Sequence, residues 1–411
     1  MQLFYTLGIF VYVFIIRIAS VVNQKANLWI AGRKNLLKNL KNSIPAGTPI
    51  VWFHVSSLGE FEQGRPVIEA FRETHPKYKL LLTFFSPSGY EIRKNYSGAD
   101  YIFYLPADTP RNARQFIQTV NPKVAFFVKY DFWFHYLNQL QKKEIPTYLF
   151  SAIFRPNQLF FKWYGSWYRK MLQFFTLIYV QNQESAELLN KIGITKVIVA
   201  GDTRFDRVFA LAQTSKELPL IEKFTANNPV IVAGSTWEKD EELIALYSKE
   251  NPAIKWIIAP HEIHQAHLDK INHLFQGQLM FYSKSTVQDI NQSNILVIDN
   301  IGILSSLYKY GKIAYIGGGF GKGIHNTLEA ATYGLPVVFG PNYLRFHEAC
   351  DLIDQKAGFS FKTYSDFKQK MDELIQSEDI QISAGKAALK YVHSMTGGTH
   401  KILQNTLFTS F

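Results

Sequence analysis

From Ile50 onward, short runs of apolar residues alternate with amphipathic stretches, and the alternation restarts once. In the first half, runs at Ile50–Ser56, Leu80–Phe85, Tyr101–Leu105, Val124–Val128, Thr147–Phe150, Leu177–Val180 and Val197–Ala200 read as strands. They are apolar on both faces, as strands of a parallel sheet covered by helices are. Helical stretches such as Phe61–Glu73 and Asn112–Val120 lie between them. Thr214–Asn228 is a polar connector containing Pro219. A second series follows at Val230–Ala233, Trp256–Ala259, Leu279–Tyr282, Ile295–Ile298, Ile313–Ile316 and Pro336–Phe339. The alternation predicts an α/β protein of two doubly wound, Rossmann-like domains. Their strands' carboxyl ends would border a ligand cleft. We place the domains at residues 23–213 and 214–411. The final helices, about Tyr364 to Leu407, either cap the second domain or cross back to the first.

The chain begins differently. Leu3–Val22 is almost wholly apolar, interrupted only by Arg17. About 20 such residues span a bilayer core as a helix. No lysine or arginine precedes the run, unlike the start of a signal peptide. Lys25, Arg33, Lys34, Lys38 and Lys41 follow it, and positive flanks stay cytoplasmic. Residues 1–22 therefore read as a membrane anchor, with the rest of the chain on the cytoplasmic face. Arg17 inside the run favours a shallow placement. Spanning the bilayer, lying on it, and burial as a helix of the first domain all remain open at this stage.

Composition narrows the partners. The 411 residues are 47% hydrophobic, which suits a chain with large cores and excludes a disordered one. The net charge of +11 predicts anionic partners. The single cysteine, Cys350, excludes an internal disulfide framework. The positive charge is dispersed and no nucleic-acid motif is present, so a nucleic-acid partner is not expected.

The richest candidate chemistry is Ile316–Pro341, where Gly317-Gly318-Gly319 ends a strand and His325-Asn326 begins a predicted helix containing Glu329. Glycines admit close backbone approach, and a helix N-terminus attracts phosphate. This segment reads as a nucleotide site, against the plainer reading of a structural turn with an N-cap Asn. Neither Gly-x-Gly-x-x-Gly nor a Walker A pattern follows the first strand, which argues against a dinucleotide oxidoreductase or a P-loop enzyme. His261, His264 and His267 are spaced by three; metal ligation is open, but phosphate contact or helix capping fits a loop better. Glu60 follows Ser57-Leu58-Gly59 at a strand's carboxyl end, where a carboxylate can take a proton from an acceptor hydroxyl or simply complement a helix dipole. Asp131 follows another strand end, and Arg204 can grip an anion by its fork; the plainer reading of both is an ion pair.

Together these motifs resemble the 3-deoxy-D-manno-octulosonic acid (Kdo) transferases of lipid A biosynthesis. The carriers are the apolar N-terminus, His54-Val55-Ser56-Ser57-Leu58-Gly59-Glu60, Ser151-Ala152, Gly234-Ser235-Thr236 and His325-Asn326-Thr327-Leu328-Glu329. The resemblance implies a GT-B fold with the acceptor on the first domain and the donor on the second. It implies CMP-Kdo as donor, the tetraacyl disaccharide phosphate precursor of lipid A (lipid IVA) as acceptor, inversion, no cofactor or obligatory metal, and the inner membrane as the place of action. Glu60 matches the family's general base. Asp131 falls where the family has a glutamate, and Arg204 where it usually has a lysine; both positions are assigned to transition-state stabilisation. Nucleotide contacts would fall on Pro260 and His261, on Ile301, Gly302 and Ile303, and on Asn326, Thr327, Leu328 and Glu329. Pro260 departs from the family's usual arginine. The alternative is a GT-B-fold epimerase of a soluble nucleotide sugar, which needs no apolar N-terminus.

Overall fold

A computed structural model describes residues 1–226, 228–286, 288–289 and 293–406. The chain divides into two compact units, Met1–Arg207 with the segment from Thr396 on, and Val208–Met395. The division falls inside the helix Thr203–Gln213.

The first unit opens with three helices, α1 (Gln2–Ala19), α2 (Gln24–Ala31) and α3 (Leu36–Ser43). Its sheet has seven strands: β1 (Ile50–Val55), β2 (Lys79–Phe84), β3 (Tyr101–Tyr104), β4 (Val124–Val128), β5 (Thr147–Ala152), β6 (Leu177–Val180) and β7 (Val197–Val199). All pair in parallel in the order β3-β2-β1-β4-β5-β6-β7. Every residue of β1 is buried, because helices cover both faces. A fully buried phenylalanine such as Phe53, stacked on Phe126 across the register Phe53↔Phe126, contributes about 2 kcal/mol of transfer free energy. α4 (Leu58–Thr74) starts directly after β1, earlier than the expected Phe61, so Glu60 lies in its first turn.

The sheet of the second unit comprises β8 (Val230–Thr236), β9 (Lys255–Pro260), β10 (Met280–Phe281), β11 (Ile295–Val297), β12 (Ile313–Ile316), β13 (Val337–Phe339) and β14 (Gly358–Ser360). It is also fully parallel, in the order β10-β11-β9-β8-β12-β13-β14. Both sheets therefore reverse direction beside their first strand: between β1 and β4 in one, and between β8 and β12 in the other. Ligands of doubly wound sheets bind outside the carboxyl ends at such a point.

The chain returns at its end. The helices Tyr364–Gln376 and Glu378–Ser394 belong to the second unit, and Gly398–Gln404 to the first. Ile402 is fully buried there, and its carbonyl accepts from the Tyr179 hydroxyl at 3.1 Å. Asp206 accepts from the amides of Gly397 and Thr399. Leu407, the last residue of the expected helical tail, lies outside the described residues.

α1 lies against the first unit by one face. Tyr5, Thr6, Ile9, Val13 and Ile16 are half-buried, at helical spacing, while Leu3, Phe4, Leu7, Phe10, Phe14 and Ile18 are exposed. The Tyr5 hydroxyl donates to Asp108 at 2.6 Å, and Thr6 bonds the His135 ring at 2.9 Å. Asp108 also accepts from the amides of His135 and Tyr136, at the start of the helix Phe134–Lys142. Phe160 is buried and Phe161 and Trp167 are half-buried, because they pack on the core. Trp163 and Tyr164 are exposed.

Candidate active site

Each unit carries candidate residues after the carboxyl ends of its strands, some of them beside the sheet reversal. In the first, the turn after β1 and the turn after β4 lie side by side. Ser57 is the N-cap of α4, and its hydroxyl donates to Oε2 of Glu60. This is the Ser-x-x-Glu spacing of a capping box. The helix N-terminus favours a carboxylate at that place. Oε1 of Glu60 takes no hydrogen bond from the described residues, and the side chain is only half-buried, so it meets solvent.

Asp131 differs in every respect. It is 4% exposed, and its Oδ1 accepts from the Ser56 hydroxyl. Oδ2 has no hydrogen-bond partner among the described residues and lies 3.9 Å from Nε2 of His54. Burial, reinforced by the charge of Glu60, pushes the Asp131 carboxyl well above the usual range. His54 is fully buried on β1, with Nδ1 3.1 Å from the Thr83 carbonyl. Nδ1 also lies 2.8 Å from the Thr83 hydroxyl, and Nε2, without a hydrogen-bond partner among the described residues, faces Asp131. Burial holds His54 down at about 3, so it is neutral at pH 7. Burial thus favours the uncharged form of both groups.

Arg204 pairs with Asp202, through Nε and Nη2, both at 2.8 Å from Oδ2. The partner is two residues away, because both lie in one turn at the start of the helix Thr203–Gln213. The next residue, Thr203, ties that turn to α4 by donating to the Gln63 carbonyl at 2.5 Å.

In the second unit three rings gather at the carboxyl ends. His261 follows β9 and stacks on Trp237 at 4.8 Å and on His325 at 4.3 Å between centroids. Trp237 Nε1 donates to His325 Nε2 at 3.0 Å, which leaves Nδ1 of His325 as its N–H. Burial, aided by His261, holds His325 down at about 4. Trp237, directly after Gly234-Ser235-Thr236, is the ring our reading of the sequence missed; its place beside a strand-end turn was the available signal.

The glycine triplet serves the backbone first. A Cβ on Gly317 would come within 2.3 Å of the Ser235 carbonyl oxygen, so the ends of β12 and β8 touch main chain to main chain. The amide of Gly318 donates to Asp240 at 2.9 Å, and the same carboxylate accepts from Trp237 N and the Tyr315 hydroxyl. These contacts give the glycines a structural part beside the ligand approach expected of them. The helix expected from His325 begins only at Leu328 and is one turn long, Leu328–Ala331. Asn326 caps it, accepting from Leu328 N at 3.1 Å and donating to Glu329 at 3.0 Å. Gly334, in the left-handed region, ends it. Thr327 and Leu328 are buried, with Thr327 Oγ1 unpartnered among the described residues.

Ile301 is 86% exposed beside Gly302, also left-handed, while Ile303 is buried as the cap of a short helix. Pro260 is buried and ends β9. His264 caps the helix Gln265–Leu274, and His267 bonds buried Glu241 at 2.9 Å. Among the described residues no group of three His, Cys, Asp or Glu is placed to hold a metal ion.

Residues 30–207 match the family model described as 3-deoxy-D-manno-octulosonic-acid transferase (kdotransferase). A 3-deoxy-D-manno-octulosonic acid transferase of Aquifex aeolicus is 28% identical, over 87% of this chain and 93% of its own. Another, from Chlamydia trachomatis, is 25% identical over 87% of this chain and 86% of its own. The family model and these relatives all describe Kdo transferases, and the likeness to the relatives runs along most of the chain. The chain is a glycosyltransferase, with the two parallel sheets of the GT-B fold. A UDP-GlcNAc 2-epimerase structure from Neisseria meningitidis superposes with a TM-score of 0.63, covering 86% of this chain and 98% of that one. At 16% identity that likeness speaks for the fold alone, and the sequence likeness runs to the transferases.

Proposed function

We propose that this protein is a Kdo transferase that moves Kdo from CMP-Kdo to the tetraacyl lipid A precursor with inversion at the anomeric carbon. The observation that carries the reading is Glu60: a solvent-facing carboxylate at a sheet reversal, fixed by Ser57 and placed at a helix N-terminus. Inverting transfer needs one base on the acceptor side. Glu60 takes the proton of the acceptor hydroxyl as its oxygen attacks the anomeric carbon and the bond to the nucleoside monophosphate breaks.

Asp131 and Arg204 answer the charge that develops. Arg204 supplies a cation held in place by Asp202, and Asp131 a neutral carboxyl, which can donate a hydrogen bond where an ionised one cannot. On the second unit, the His261, Trp237 and His325 rings offer a face for a nucleobase, and Glu329 a pair of acceptors for ribose hydroxyls. Pro260, the Ile301–Ile303 turn and the Asn326–Leu328 turn shape that site.

The place of action is the cytoplasmic face of the inner membrane. α1 supports this: its outer face is apolar, and at 18 residues it is about 27 Å long, marginal for a hydrocarbon core of about 30 Å. With Tyr5 bonded to Asp108, α1 lies along the unit and dips into the interface rather than crossing it.

The test is a transfer assay with the purified full chain, CMP-Kdo and the tetraacyl acceptor, read by mass spectrometry with and without chelator. A mass gain of one or more Kdo units is expected, unchanged by chelator. Folded protein that binds CMP and yields no product would overturn the acceptor assignment.

A further inference from the structure

A cavity of about 480 Å³ opens in the first unit between α1, α2, α3 and the loop after β3, away from the residues given roles above. Arg17, Arg33, Lys34 and Lys38 line it, with Trp29 and Ala107 among its apolar walls. Arg33 is the unusual member. Its guanidinium lies 3.7 Å over the Trp29 ring, 4.8 Å from Tyr104 and 5.0 Å from Phe85. Nε, Nη1 and Nη2 each donate to a main-chain carbonyl, those of Leu105, Trp29 and Phe85, at 2.8, 3.0 and 2.7 Å. No described carboxylate pairs with Arg33, Arg17, Lys34 or Lys38. The chain has no Asp or Glu before Glu60.

A guanidinium sunk among aromatic rings without a counter-charge is costly. Burial lowers its pKa to about 9. Two of its five N–H donors remain uncommitted, a fork suited to a tetrahedral oxyanion. Arg17 in the last turn of α1 also complements that helix's dipole, but the dipole accounts for none of the other three cations.

The apolar surroundings say what kind of anion fits. α1 carries Arg17 and Val13 into the cavity wall and Phe10, Phe14 and Ile18 on its exposed face. A phosphate in the cavity thus has acyl-sized apolar surface next to it. We propose that this cavity binds the phosphate of an anionic lipid, with the lipid's chains laid on the outer face of α1. The inference rests in part on the reading of the protein as lipid-active. The phosphate belongs either to the acceptor or to a bilayer phospholipid, and the chemistry of recognition is the same.

The full chain is titrated calorimetrically with soluble dihexanoyl phosphatidic acid. Two variants of unchanged Tm are compared: Lys34→Ala/Lys38→Ala, which removes exposed charge, and Ala31→Phe, which fills the cavity without altering charge. Saturable binding by the parent, weakened at least tenfold in both variants, is expected. If the parent does not bind, the site does not exist; if Ala31→Phe binds as the parent does, diffuse charge is sufficient and the cavity is not the site. Should Ala31→Phe misfold, unchanged binding by the lysine variant overturns the site. Two further arms name the source. A raised acceptor KM at constant kcat in the lysine variant identifies the acceptor's phosphate. Unchanged KM with weaker flotation on phosphatidylglycerol vesicles identifies the bilayer lipid. The calorimetric result needs no turnover, so it fails or stands separately from the proposed transfer.

Discussion

Glu60 and Asp131 show how two carboxylates at one sheet reversal acquire different work. Glu60 meets water and a helix N-terminus; Asp131 meets Ser56 and the buried His54 ring. Glu60→Ala is expected to fold as the parent does and to lose about 10²–10⁴-fold in transfer rate, the usual worth of a positioned base. Near-normal turnover by mass spectrometry would remove Glu60 from the mechanism. Asp131→Asn keeps a neutral hydrogen-bonding group of the same shape, and we expect activity within a few-fold of the parent, whereas Asp131→Ala loses far more. Equal losses would mean that the charge of Asp131, not its neutral form, is used. His54 carries a pH prediction. Its folded pKa, about 3, lies below the unfolded 6.5, so its neutral burial stabilises the fold above pH 6.5. That contribution, on the order of 5 kcal/mol, is lost as pH falls from 6.5 toward 3. His54→Asn should flatten the decline of the urea midpoint over that window; an unchanged slope would exonerate His54.

At the level of elements, much was legible. Runs apolar on both faces gave the parallel strands because such strands are buried on both sides, and β1, β4 and β12 fall within a residue of expectation. Strand order was not legible, since it is set by pairings between residues far apart, such as Val51 with Val124. Without it, Trp237 could not be placed beside His261 and His325. The predicted helix at His325 failed for a local reason: Asn326 spends its side chain capping Leu328, and Gly334 ends the turn. Glu60 and the His-Asn-Thr-Leu-Glu segment were found from sequence, but the pairing of Arg204 with Asp202 was not, because a side chain's choice between a neighbour and a ligand leaves no periodic trace. Gly317→Ala tests the strand-end contact. With a Cβ 2.3 Å from the Ser235 oxygen, backbone must shift, and a loss of about 1–3 kcal/mol is expected, with weakened CMP binding. A Tm equal to the parent's would show that the two strand ends part freely.

At the scale of the whole molecule, each unit has its own sheet and core, but only the second is continuous in sequence. Ending the chain at Met395 removes Ile402 and the partners of Asp206 from the first unit and leaves the second intact. The truncated protein is expected to melt in two calorimetric steps, with the lower one belonging to the first unit and CMP affinity preserved. A single unchanged transition would show that the returning helix is dispensable.

That returning helix also sets a clock on the ribosome. The first unit's sheet is synthesised by Arg207, yet its closing helix follows Met395, after the entire second unit. At about 5–20 residues per second, the first unit waits roughly 10–40 s for its last piece. The apolar face of α1 leaves the exit tunnel before the sheet it packs against, so for that interval it precedes a half-finished domain. Nascent chains stalled after residue 395 should therefore hold a protease-resistant second unit beside a susceptible first one, with α1 already available to a membrane or a chaperone.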